Sequence, residues 1–136
     1  MNKGDVITCS FKVRPDIYDG FIATFKDKNP LHIDEKFAIA RGFKEKVMHG
    51  NILNGFLSYF IGECLPVKDV LIQTQEIKYL KPVYLNDQLT LCAEIVDVYE
   101  SVNTIDFKYY FENQDNIKVA KGKIQIGLLI GKDQLK

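Results

Sequence analysis

Between Phe25 and Ala38 the chain reads FKDKNPLHIDEKFA, gathering Asp27, Asn29, His32 and Asp34 around one proline. Carboxylate and imidazole are the side chains that most readily hold and move protons near neutral pH. Asp27 and His32 stand five residues apart, on opposite sides of Pro30. Pro30 drives Asn29 away from helical geometry, so this segment is expected to be a turn or loop. A bend there would bring carboxylate and imidazole to one point. They could then hold a water between them, one group taking a proton and the other giving one. Two further readings of the same letters compete. A D-x-N-P-x-H turn also suits a helix-entry loop whose polar groups cap backbone amides. An Asp-x-Asn start also opens a calcium loop, but His32 stands at the required glycine and Ala38 at the closing glutamate, which removes that reading. A metal held by Asp27, His32 and Asp34, with or without His49, follows no well-known ligand spacing, and none is expected.

The elements that must position these groups follow from hydrophobic period. DVITCSF predicts a first short strand. In RPDIYDGFIATF, Ile17, Tyr18, Phe21, Ile22 and Phe25 recur at helical spacing, with Pro15 in the first turn and Asp16 at the positive end of the dipole. Gly20 inside it costs up to ~1 kcal/mol of helix propensity. Asp34 stands where it would cap a short helical turn, EKFAIARGF, closed by Gly42. A long helix is predicted from His49 to Leu65, HGNILNGFLSYFIGECL, stopped by Pro66. Its apolar residues cover most of the circumference, so it is expected to be buried by surrounding structure. Gly55, Ser58 and Gly62 form a stripe of small side chains on it where something can pack close. The second half turns to strands: VLIQTQEIKYL, QLTLCAEIVDVY, NTIDFKYYF and IKVAKGKIQIGLLI, with LND and ENQDN as polar breaks. The expected fold class is α+β, an antiparallel sheet of about five strands curled around one long helix.

The totals narrow the function classes. At 136 residues, 46% of them hydrophobic, the chain is expected to form a single domain over 1–136 with a full core. Lys plus Arg equals Asp plus Glu at 18 each, so no strong field invites nucleic acid or an anionic membrane. No secretory leader and no run of membrane-spanning length is read, and a cytoplasmic location is expected. Cys9, Cys64 and Cys92 are odd in number and widely spaced, which suits small buried apolar residues in a reducing compartment; a nucleophilic cysteine is the sharper alternative.

The stretches FKDKNPLHIDEKFA, VMHGNILNGFLS and the following LP resemble the signature of MaoC-like dehydratases and (R)-specific enoyl-CoA hydratases. That pattern reads D-x-N-P-x-H-x-D, then His-Gly about fifteen residues on; Asp34 to His49 spans fifteen here. YLKPVYLNDQLT is similar to the family's Pro-Val strand with its turn Asp, so the resemblance covers about residues 20–95. It implies the hot-dog fold, two subunits joined edge to edge, and acyl thioesters of coenzyme A or acyl carrier protein as substrates. It puts the catalytic pair on Asp27 and His32, the oxyanion-binding backbone amide on Gly50, and a helix serine on Ser58. Water would add across a 2-enoyl thioester to give the (3R)-hydroxy product, or the reverse, without metal or cofactor; coenzyme A or carrier pantetheine is part of the substrate.

Each assignment has a structural alternative. Asn29 is expected to shape the turn, and His49 to hold the turn before the helix. Ser58 either orients the pair or is simply a small helix residue. Lys26, Lys28, Arg41, Lys44 and Lys46 could meet phosphates or an acidic carrier, though a solvated face is the default. Asn51 and Asn54 depart from the family pattern, which is usually apolar at both; they could line the acyl tunnel or bond to the neighbouring loop. Two other functions stay open. One is a hot-dog thioesterase, for which the helix offers only Glu63 as carboxylate. The other is an acyl-thioester-binding module without turnover. A homodimer or higher even oligomer is expected, because a five-stranded sheet leaves open edges.

Overall fold

The computed structural model describes residues 1–129, and its five strands form one antiparallel sheet. In chain order the elements are β1 (Val6–Lys12), α1 (Pro15–Phe25), α2 (Pro30–Ile33), α3 (Glu35–Ala40), α4 (Asn51–Tyr59), β2 (Val70–Tyr79), β3 (Gln88–Tyr99), β4 (Thr104–Glu112) and β5 (Lys118–Leu128). The sheet order is β1-β3-β4-β5-β2. All four helices therefore lie between the two edge strands in sequence. The chain leaves one edge, crosses a face of the sheet with α4 against it, and returns at the other edge.

Burial follows the periods. On β3 the inward Leu89, Leu91, Ala93 and Ile95 alternate with more exposed residues, and β4 repeats this with Ile105, Phe107, Tyr109 and Phe111. Against them α4 sets Leu53 and Leu57, both almost inaccessible to solvent, followed by Phe60. Burying each such side chain contributes about 1.5–3 kcal/mol. Phe60 meets Phe107 edge to face. This is the hot-dog arrangement that the resemblance implied.

Three expectations change. The segment around Pro30 is not a plain loop: Asn29 is extended at ψ 133, as its proline requires, but residues Pro30–Ile33 then close one helical turn. The central helix is not α-helical throughout; it passes into a π turn at Phe60–Cys64 before Pro66 ends it. Nor is it buried all round. Asn51, Gly55, Ser58, Tyr59, Gly62 and Glu63 are exposed, and a Cβ on Gly55 or Gly62 would meet nothing within 4 Å. The sequence counts apolar residues around the helix but does not reveal that a single chain covers only one side of it.

The cysteines also differ from expectation. All three are half-buried and free, and Cys9 on β1 comes within 3.1 Å of Cys64 at the end of the π turn. Burial pushes the Cys64 thiol up to about 11. The predicted last strand extended to Ile130, which lies outside the described residues.

Candidate active site

The site grows from the end of α1. Lys26 takes the left-handed conformation at φ 63 and donates its N–H to Ile22, which stops the helix and turns the chain. Asp27 follows; its Oδ1 accepts the Asn29 N–H at 3.2 Å, and Asn29 Oδ1 accepts the Leu31 N–H at 3.0 Å. These contacts wind α2, which carries His32. Asp34 Oδ1 then caps α3 through the Phe37 N–H at 3.1 Å. Asn29 and Asp34 thus hold local backbone, as their sequence positions suggested.

His32 is fixed from behind. Its Nδ1–H donates to the Val47 carbonyl at 2.7 Å, so in the neutral imidazole Nε2 carries the lone pair. The His32 carbonyl accepts the hydroxyl of buried Tyr18. Burial, with the charges of Glu45 and Asp19 nearby, pushes that phenol up to about 12, so it stays a donor at neutral pH. The Val47 N–H bonds to the Leu31 carbonyl, and the Met48 N–H to the Val83 carbonyl, tying the approach to α4 onto the β2–β3 connection.

Asp27 Oδ2 and His32 Nε2 lie 4.0 Å apart. That is too long for a direct hydrogen bond and suited to a shared water: at about 2.8 Å from both, the water would be bonded at about 90°. His32 is largely buried, whereas about half of the Asp27 side chain is open to solvent. His49 lies beneath them, 2% exposed, its ring stacked on His32 with centroids 3.9 Å apart. Its Nε2–H donates to the Asp27 carbonyl at 2.9 Å. Its Nδ1 is the one buried side-chain nitrogen or oxygen among the described residues without a partner, at a cost of about 1–3 kcal/mol. Asp27, His32 and His49 bring ligand-type atoms within 4.8 Å of one another. Imidazole lone pairs lie in their ring planes, and two planes stacked 3.9 Å apart at 26° do not converge on a point about 2.0–2.1 Å from both nitrogens, so the trio fits a metal poorly.

A cleft of about 530 Å³ opens onto the pair and onto Gly50, the residue before α4. The Gly50 N–H has no hydrogen-bond partner among the described residues and lies at the positive end of the α4 dipole. Packing also calls for glycine at this position. Where a Cβ would project, the Tyr79 ring already lies 2.8–2.9 Å away, so the missing side chain admits Tyr79. Asn54 donates to Asn51 at 2.8 Å and accepts from Gln75 of β2, so the two amides bond within their own helix and to a strand, not to the neighbouring loop. Ser58 is exposed, makes no hydrogen bond among the described residues, and lies two turns along α4, outside this cleft. Glu63 is exposed too and pairs with Lys68 at 3.0 Å. Of the basic set, Arg41, Lys44 and Lys46 rest over the rings of Phe37, Tyr84 and Tyr18.

Sequence reasoning missed Tyr18, Gln75, Tyr79 and Lys81, the last of which lines the cleft. Helical spacing marks Tyr18 only as an apolar position. Gln75 and Tyr79 were hidden by phase, because β2 carries an extra residue between Ile72 and Thr74. Strict alternation from Val70 would turn Thr74, Glu76 and Lys78 inward; the bulge turns in Gln75, Ile77 and Tyr79 instead.

Several known proteins share this frame. The chain is 32% identical to an (R)-specific enoyl-CoA hydratase of Aeromonas caviae over 80 residues, which are 59% of this chain and 60% of that protein. It is 29% identical to an (R)-specific enoyl-CoA hydratase of Rhodospirillum rubrum over 93 residues, 68% of this chain and 64% of that one. The matches thus span less than two thirds of these relatives' length. The structure of unliganded R-hydratase PhaJ1 from Pseudomonas aeruginosa superposes with a TM-score of 0.86 at 24% identity, covering 96% of this chain and 84% of that one. Residues 8–116 match the MaoC like domain, and with the D-x-N-P-x-H turn in place the chain belongs to that family.

Proposed function

We propose that this chain adds water to trans-2-enoyl thioesters of coenzyme A or acyl carrier protein, giving (3R)-hydroxyacyl thioesters, and catalyses the reverse dehydration. One observation carries the reading: the 4.0 Å Asp27–His32 pair opens into the same cleft as the unpaired Gly50 amide. The relatives named hydratase support the reaction class, and the (R) in their names supports the stereochemistry.

The chemistry follows from the hydrogen bonds. His32 Nε2, left as acceptor by the Nδ1–H bond to Val47, takes a proton as the water oxygen bonds to C3. Asp27 orients that water and stabilises the imidazolium. Electrons shift from the double bond towards the thioester oxygen, which the Gly50 N–H and the α4 dipole stabilise; such a donor is worth about a hundredfold in rate or more. His32 then returns its proton to C2, so hydroxyl and hydrogen arrive on the same face. No metal or redox cofactor enters the scheme. Two copies joined through an open sheet edge would form the working unit.

The test is optical. Adding the protein to crotonyl thioester should remove the enoyl absorbance, and Asp27→Asn or His32→Ala should abolish the loss. Release of free thiol instead would identify a thioesterase, a reading already disfavoured by Glu63 lying outside the cleft in a pair with Lys68. Binding with no turnover from four to twelve carbons on either carrier would leave a binding module.

A further inference from the structure

One wall of the cleft is more polar than an aliphatic substrate requires. Asn54 Nδ2 donates to Asn51 Oδ1 at 2.8 Å, and lies 3.5 Å from the Tyr79 hydroxyl; Gln75 Nε2 donates to Asn54 Oδ1. The chain of amides therefore runs in one direction. Counting what is left over decides its chemistry. Both hydrogens on Asn51 Nδ2 and the Tyr79 O–H have no acceptor among the described residues. Asn51 and Tyr79 line the same cleft as Asp27, His32 and Gly50. Tyr79 also lies against Gly50, its oxygen 3.3 Å from where a Cβ would stand, so the free donors sit beside the amide assigned to the thioester carbonyl. Burial raises the Tyr79 phenol, which keeps it protonated and a donor. Lys81 lines the same cleft and adds a positive charge.

We propose that Asn51 and Tyr79, held by Asn54 and Gln75, select an acyl group bearing an oxygen acceptor a few bonds from the thioester carbonyl. The inference rests on the hydratase reading and names its substrate class. An aliphatic chain would cover these donors without pairing them, whereas a hydroxyl, carbonyl or carboxylate oxygen on C4 would accept from them. Sites that hydrogen-bond a substrate group discriminate strongly against the analogue lacking it. Because Tyr79 is half exposed, the expected preference here is tenfold to a hundredfold.

The experiment compares kcat/KM for matched coenzyme A thioesters. 4-Hydroxy-2-butenoyl and 2-pentenoyl thioesters differ by a hydroxyl in place of a methyl; 3-carboxyacryloyl thioester tests a carboxylate. The wild type should favour at least one oxygenated substrate over 2-pentenoyl by tenfold or more. Tyr79→Phe and Asn51→Leu should each reduce that ratio towards one, with the carboxylate arm also falling in Lys81→Met. Hydration of 2-pentenoyl thioester at an equal or greater rate would overturn the inference and leave the hydratase reading standing. Hydration of no thioester would remove both. A ratio unchanged in the variants, with Asn54→Ala shifting the assembly state in sedimentation, would assign the amides to a contact between copies and overturn the inference.

Discussion

The cleft has two polar walls held by different means. On the wall built from the Asp27–His49 segment, side chains bond to backbone: His32 to the Val47 carbonyl, His49 to the Asp27 carbonyl, and Tyr18 to the His32 carbonyl. On the other wall, Asn51 and Tyr79 line the cleft and are held through Asn54 and Gln75, which do not line it. Backbone partners cannot rotate away, so the first wall is preorganised, as proton transfer to a reacting atom demands. Amides bonded to amides can exchange partners, so the second wall can accept a ligand at modest cost. The proposed chemistry and the proposed selectivity thus fall on walls of different rigidity.

The largest expected effect lies on the rigid wall. Asp27→Asn or His32→Ala should lower hydration by about 10²–10⁴-fold with the thermal midpoint little changed, and the double variant should be no worse than the poorer single one. Multiplicative losses would show that the two groups do not share one water. Next in size is His49→Ala, which opens a cavity beneath His32 and strands the Asp27 carbonyl. It should cost about 3 kcal/mol in urea unfolding, and a cost near zero would remove His49 as the floor of that wall.

Tyr18→Phe deletes one buried hydroxyl and should cost about 1–2 kcal/mol. The same phenol gives a pH signature. Its folded pKa of about 12 exceeds the ordinary phenol value of 10.0, so the folded state binds the proton more tightly. Stability is therefore full below about pH 10 and falls as pH rises towards 12, with buried Tyr109 shifted in the same direction. Tyr18→Phe should flatten that alkaline decline. A slope identical to wild type would mean that another group governs it.

Smaller effects belong to the adaptable wall. Gly50→Ala should cost about 1 kcal/mol, since the half-exposed Tyr79 ring can swing aside, and Tyr79→Ala should relieve most of it in a double-mutant cycle. Additive costs would show that the two residues do not meet. Asn54→Ala should change stability by less than about 1 kcal/mol, because it breaks side-chain contacts in a half-buried setting. A cost as large as that of His49→Ala would erase the distinction between the walls.

Much of this was legible in the letters. All five strands and α1 fall where period placed them, because a strand or helix with one face on a core must repeat at 2 or about 3.6 residues. The D-x-N-P-x-H turn was legible because its capping is local: Asn29 reaches Leu31, and Asp34 reaches Phe37. Partners distant in sequence were not. Nothing near Tyr18 announces that its hydroxyl ends on His32, and the amides at Asn51 and Asn54 read as departures from a pattern until β2 supplied Gln75 and Tyr79.

The sequence by itself determined the order and type of the elements, the turn that carries Asp27 and His32, and the family to which the chain belongs. Those properties depend on contacts a few residues long, or on periods that any core imposes. Only the tertiary structure decided the 4.0 Å gap between the pair, the open side of α4, and the bulge that turns Gln75 and Tyr79 inward. One extra residue in β2 reverses the facing of the rest of that strand, and only pairing with β5 reveals where it is absorbed.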